Sequence, residues 1–77
     1  MRVRLFAALR EIAGGSEIDV DADTVAGVLD ELAARYGDRF EAIAAAGSVV
    51  VDGERASAER LLTGTEDVAV LPPFSGG

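Results

Sequence analysis

Residues Arg2–Phe6 alternate along the chain, with Val3 and Leu5 on one side and Arg2, Arg4 and Phe6 on the other. That is the period of a half-buried strand. The segment from Ser16 to Asp23 repeats it: Ile18 and Val20 face inward, while Glu17, Asp19 and Asp21 face water. Between them, Leu9 and Ile12 are spaced i, i+3 ahead of Gly14 and Gly15, which predicts about one helical turn closed by a glycine turn. The two strands should therefore form a hairpin with a broad connection. From Thr24 to Tyr36 the period changes. Val25, Val28, Leu29, Leu32 and Tyr36 fall at i, i+3, i+4, i+7 and i+11, the apolar stripe of an amphipathic helix. Asp23 or Thr24 can cap its start, and Gly37 is placed to end it in a left-handed conformation. Gly27, inside the helix, costs about 1 kcal/mol relative to alanine, so a close approach of the helix to the sheet is expected there.

Beyond Gly37, Phe40 and Ile43 predict a second short helical segment ending near Gly47. The stretch SVVVDGE reads as a strand running into an Asp52-Gly53 turn, a pair that accepts the positive φ angles of tight hairpins. A short returning strand follows. SAERLL then predicts a helical turn, TGTED a loop, and VAVL a final strand that ends where Pro72 and Pro73 remove the amide donors a ladder needs.

This order predicts an α+β roll, a mixed sheet of four to five strands with one main helix across one face. If the first and last strands are neighbours they must run parallel, since a hairpin partner would come from adjacent sequence. Val68 and Val70 then face the helix, while Ala69 and Leu71 face away beside Phe6 and Val50. Such an apolar group on an uncovered sheet face is the kind of patch that marks a partner surface.

Composition narrows the functional classes. With 49% hydrophobic residues and neither cysteine nor histidine, the 77-residue chain forms one domain held by packing alone, without disulfides or thiolate and imidazole metal sites. That suits a reducing compartment. No signal-peptide or membrane-spanning segment is evident, so the expected location is the cytoplasm. The net charge of −7 argues against a nucleic-acid surface and fits a basic protein partner. All seven basic residues are arginine, and a guanidinium that stays protonated is a poor acyl acceptor. DVDADT begins like a calcium loop, but Thr24 stands where the loop needs glycine, Asp30 stands where it needs glutamate, and the main helix would start inside it. No metal site is expected. Without His, Cys or Lys, an independent enzyme is not expected either.

The chemistry lies in the ending, LPPFSGG. Pro72 and Pro73 fix two φ angles and stop the strand, so residues 72–77 are read as an extended tail distinct from a body of residues 1–71. Six extended residues reach about 20 Å. Gly76 and Gly77 lack Cβ atoms, which lets the backbone enter a narrow channel and leaves the Gly77 carboxylate unhindered. A carboxylate reacts with nucleophiles only once its oxygen is a good leaving group, as in an acyl-adenylate made from ATP by another protein.

RVRLFAALREIAG, TVAGVLDELAARYG, VVVDGE and above all DVAVLPPFSGG together resemble the MoaD/ThiS family of ubiquitin-like sulfur carriers over nearly the whole chain. The resemblance is greatest to the small subunits of molybdopterin synthase. It implies a β-grasp fold and a non-catalytic sulfur donor with no bound cofactor. A ubiquitin-activating-like enzyme would adenylate Gly77 with ATP, and a persulfide donor would convert it to a thiocarboxylate. The sulfur would pass to precursor Z in the active site of the large subunit, the two kinds of subunit forming a heterotetramer. The resemblance makes Gly77 the sulfur-bearing residue and Gly76 the one that gives access, with Pro72, Pro73, Phe74 and Ser75 completing the tail. Phe6 and Leu71 match apolar docking positions. Arg55 stands where the relatives carry an apolar contact residue, and Phe74 is bulkier than the usual residue at its place. A carrier for thiamine thiazole or cysteine synthesis, a protein modifier ending on a target lysine, and a ubiquitin-like binding module with an inert tail remain alternatives.

Overall fold

The computed structural model describes residues 1–73. Its element order is β1 (Arg2–Leu5), α1 (Ala7–Ala13), β2 (Glu17–Asp19), α2 (Val25–Tyr36), α3 (Asp38–Ala46), β3 (Ser48–Val51), β4 (Glu54–Ala56) and β5 (Val68–Leu71). The five strands form one mixed sheet in the order β2-β1-β5-β3-β4. This is the β-grasp fold. β5 lies in the centre, parallel to β1 through the pairs Val3–Val68 and Leu5–Val70, and antiparallel to β3 through Val49–Val70 and Val51–Val68.

Alternation decides which face the helices cover. Val3, Leu5, Val49, Val51, Val68 and Val70 point to the helix side, where they meet Leu9 of α1, Val25, Val28 and Leu32 of α2, and Phe40 and Ala44 of α3. Phe40 is fully buried, and its ring lies 5.4 Å from that of Tyr36 across the α2–α3 junction. The described residues contain no buried polar or charged side chain, so the core rests on apolar packing.

All three helices fall where the sequence predicts helical segments, with α2 the longest. α1 runs for seven residues, longer than the single turn predicted, and ends at Gly14, which adopts the left-handed conformation and donates its N–H to the Arg10 carbonyl. α3 runs for nine residues with Phe40 and Ala44 inward. Gly37 separates it from α2 with φ 92° and ψ −172°, a positive φ outside the left-handed helical region that allows the second helix to begin at once. The residue that caps α2 is Thr24, whose Oγ1 accepts from the Gly27 N–H at 3.0 Å. Gly27 is pressed by that same hydroxyl and by the Ala22 methyl, each 3.2 Å from where a Cβ would sit, and the expected close approach to the sheet does not occur.

Residues 57–62 begin with a single turn, closed by the Arg60 N–H donating to the Ser57 carbonyl at 3.1 Å, which does not continue into a helix. Other carbonyls are used elsewhere: Ala58 accepts from the Ala26 N–H at 2.9 Å and Arg60 from the Val25 N–H at 3.0 Å. The segment thus satisfies orphan donors at the start of α2, and Leu61 bridges to Thr24. Local propensity yields to the demand of a helix terminus. The Asp52-Gly53 turn is as expected, with φ 50° and 85°.

The loop before β5 is organised by one carboxylate. Glu66 accepts from the Thr63 and Gly64 N–H groups at 2.8 and 3.0 Å and from the Thr63 hydroxyl at 3.2 Å. The Thr63 backbone donor is the main reason its pKa falls from the ordinary 4.5 to about 2. A depressed folded-state pKa gives a contribution that is complete above the ordinary value and disappears as pH falls through about 2. The difference in urea midpoint between the wild type and Glu66→Gln should therefore be full near neutrality and close over that acid interval. A difference independent of pH would refute this account.

Candidate functional site

The face of the sheet turned away from the helices carries the candidate docking residues. Strand register sets a row across it: Glu17, Arg4, Ala69, Val50 and Arg55. Phe6 directly follows β1 in extended geometry (φ −127°, ψ 151°) and keeps the outward parity of Arg4. Ala7 then takes φ 51°, turning the chain sharply into α1. Since Leu5 pairs with Val70, Phe6 and Leu71 are the next residues of two parallel neighbours and lie on the same face. Arg55 is across β3 from them, paired with Val50, and exposed.

The expected apolar patch is narrower than alternation alone suggests. Phe6, Val50 and Leu71 are half-buried, and Ala69, flanked by longer neighbours, is only 4% exposed. Among the described residues the one large hydrophobic side chain that stands well out is Leu61, on the loop after β4.

Arg4 was not singled out by the sequence. Its guanidinium grips Asp67 through Nε and Nη2 at 3.0 and 2.8 Å and lies 5.7 Å from the centre of the Phe6 ring. Both partners of that ion pair are about half exposed, so it contributes at most about 1 kcal/mol and acts chiefly to orient the aromatic ring. Arg2 pairs with Glu17 at 3.6 Å. Among the described residues Arg55 makes no ion pair.

The tail begins at the end of β5. Leu71 pairs with Ser48, Pro72 is buried, and Pro73 is exposed, so the first proline still packs with the body. Gly47, between α3 and β3, lies directly against the Leu71 carbonyl. Phe74, Ser75, Gly76 and Gly77 lie outside the described residues.

The depressions of the described body include one of about 410 Å³ beside Asp21, Asp23, Leu62 and Thr63, one of about 170 Å³ near Val25, Leu29 and Ala56, and one of about 190 Å³ beside Leu29, Asp30 and Glu41. Among the described residues no three carboxylates gather as a metal ion would require, and no helix is long and apolar enough to cross a membrane.

Comparison with known proteins decides the family. The sequence profile of the ThiS family matches residues 3–77. The chain belongs to the ThiS family. This is a family of ubiquitin-like sulfur carriers, and solved structures agree with the assignment. Small archaeal modifier protein 1 from Methanosarcina acetivorans superposes with a TM-score of 0.83 at 28% identity, covering 99% of this chain and 94% of its own. The crystal structure of the protein of that name from Haloferax volcanii gives 0.72 at 34% identity, covering 100% and 98%. A Pyrococcus furiosus protein named for molybdopterin converting factor, subunit 1, gives 0.81 at 24% identity, covering 95% of each chain, and bears on the fold alone. No curated protein matches this ThiS-family chain.

Proposed function

We propose that the protein is a sulfur carrier that serves as the small, non-catalytic subunit of molybdopterin synthase. The observation that carries the proposal is the anchoring of the tail root: the central strand ends at Leu71 and buried Pro72 on the face that carries Phe6, and the sequence runs on as Pro-Phe-Ser-Gly-Gly. A terminus that must be threaded into another protein's pocket needs a firm base and a nearby surface by which that protein holds the body.

In the reaction, a Gly77 carboxylate oxygen attacks the α-phosphorus of ATP on an adenylating enzyme, and pyrophosphate leaves. The outer sulfur of a donor persulfide attacks the acyl carbon, and AMP leaves. A thiol then cleaves the resulting acyl disulfide, which leaves a thiocarboxylate on Gly77 and a disulfide on the donor side. In the large subunit the thiocarboxylate sulfur attacks a carbon of precursor Z and displaces an oxygen substituent from it, and water then cleaves the acyl–sulfur bond, returning the Gly77 carboxylate and leaving the sulfur on the product as a thiol. A dithiolene has two sulfurs, so two carriers serve each product, in keeping with a heterotetramer. Phe6 and Leu71 supply apolar contact, and Arg55 a charge, to the proteins that hold the carrier.

The test is intact mass spectrometry after incubation with ATP, the adenylating enzyme of the same cell and a persulfide donor. Exchange of one oxygen for sulfur at Gly77, followed by its loss on addition of large subunit and precursor Z, is the expected result. A terminus that stays a carboxylate would overturn the proposal. Sulfur loaded but delivered only to a thiazole or cysteine pathway would move the protein to another carrier branch.

One observation favours a second reading, the 34% identity with a protein named as a modifier. There the acyl-adenylate would meet a target lysine amine, forming an isopeptide and releasing AMP. This chain has no lysine of its own, so it could not extend into chains built on itself. A conjugate on another protein in the same mass experiment would identify this outcome.

A further inference from the structure

We infer that Gly47 is a positioning residue for the acyl-transfer tail, and this rests on the carrier reading above. Gly47 ends the turn between α3 and β3, far in sequence from residue 77. A Cβ built on it would fall 1.9 Å from the Leu71 carbonyl oxygen, 2.9 Å from the Leu71 carbonyl carbon and 3.0 Å from that of Pro72. All three are backbone atoms, so no side-chain rotation could relieve the overlap. Either the root of the tail or the α3–β3 turn would have to move.

The sign of φ at this glycine is not what demands it. Its φ is −95°, a value open to residues with side chains. Gly14, Gly37, Gly53 and Gly64 are the reverse case, with positive φ and nothing within 4 Å of an added Cβ. Among the described glycines, Gly47 alone is held to its identity by contact with the base of the tail. Its surroundings are also fixed: its N–H donates to the Ala44 carbonyl at 3.1 Å, Ala44 is buried, and the next residue, Ser48, pairs with Leu71. The bare α-carbon of Gly47 thus forms a flat wall against which Leu71 and buried Pro72 seat. That wall sets where Leu71 and Pro72 leave the body.

The consequence concerns the reaction. The Gly77 oxygen must reach the α-phosphorus of ATP in another protein while that protein grips the carrier body. A misplacement of reacting atoms by about 1 Å can cost on the order of a hundredfold in rate. Displacing the root should therefore slow the chemical step while leaving the docking face, on the outer side of the sheet, able to bind.

ATP–pyrophosphate exchange by the adenylating enzyme, measured against carrier concentration for the wild type, Gly47→Ala and Pro72→Gly, tests this. Each variant's folded fraction is taken from its own unfolding curve. The alanine displaces the root; the second variant frees the root without touching the wall and decides the matter should the alanine variant not fold. The expected result is a kcat per folded molecule lowered about tenfold or more with KM within about twofold of the wild type. A kcat per folded molecule unchanged in a folded Gly47→Ala, or in Pro72→Gly if the alanine variant does not fold, would reduce Gly47 to a packing residue and overturn the inference. A rise in KM alone would assign it to docking and overturn it equally. Exchange absent with wild-type carrier would refute the carrier reading itself, and the inference with it.

Discussion

Deletion of Gly76 and Gly77, or addition of one residue after Gly77, is expected to abolish ATP-dependent thiocarboxylate formation without moving the unfolding midpoint. Both changes lie beyond Pro72, the last buried residue among those described, and leave every residue of the described core in place. Both alter the only group the proposed chemistry uses. An added residue places its own Cβ and a shifted carboxylate where an unhindered terminal glycine is required, and the reacting oxygen is carried about 3.5 Å from its place. That displacement exceeds what an oriented reaction tolerates, so thiocarboxylate should fall to background. The check is the intact mass of the carrier after complete reaction, with a second mass measurement showing that the added residue has not been trimmed. Normal sulfur loading by the extended chain would show that the terminus is not the site.

Phe40→Ala should be the most damaging single change in the body. Phe40 is fully buried in α3, touches the aromatic ring of Tyr36 and belongs to the one cluster that joins all three helices to the sheet. Removing a buried phenylalanine side chain costs about 3–5 kcal/mol, the sum of lost transfer free energy and the void left behind. A domain of this size has about 4–12 kcal/mol in total. The variant should accordingly be largely unfolded near physiological temperature, or unfold at a much lower urea concentration than the wild type. A loss below about 1 kcal/mol in urea titration would mean that the core collapses around the gap, contrary to the close packing described. The two predictions separate the functions of the chain: one change ends chemistry and spares the fold, the other ends the fold and spares the reacting group.

Much of the body was legible because its signals are periodic. The alternation in RVRLF and VAVL placed Val3, Leu5, Val68 and Val70 on the buried face, and the stripe from Val25 to Tyr36 predicted α2. Asp52-Gly53 announced its own turn. What escaped was non-local. Residues 57–62 make their expected turn, yet the carbonyls of Ala58 and Arg60 serve the amides of Ala26 and Val25, a demand no local window contains. Ala69 has outward parity, but Arg4 and Val50 stand beside it in register and cover it, so parity gave its direction without its exposure. At the site, the sequence marked Phe6 and Leu71 as outward, and register then made them neighbours. Arg4 passed unnoticed because its bidentate hold on Asp67 joins residues 63 apart. Gly47 looked like an ordinary helix terminator until Leu71 appeared behind it.

The strand added last along the chain is also the middle of the sheet. A polypeptide still being synthesised therefore holds two unconnected halves, a β1–β2 pair and a β3–β4 pair, with no ladder between them until residues 68–71 emerge. The sheet therefore cannot close before nearly the whole chain has been made: a product truncated ahead of residue 68 lacks the keystone that locks the arch and should be open to the degradation that removes unfolded chains.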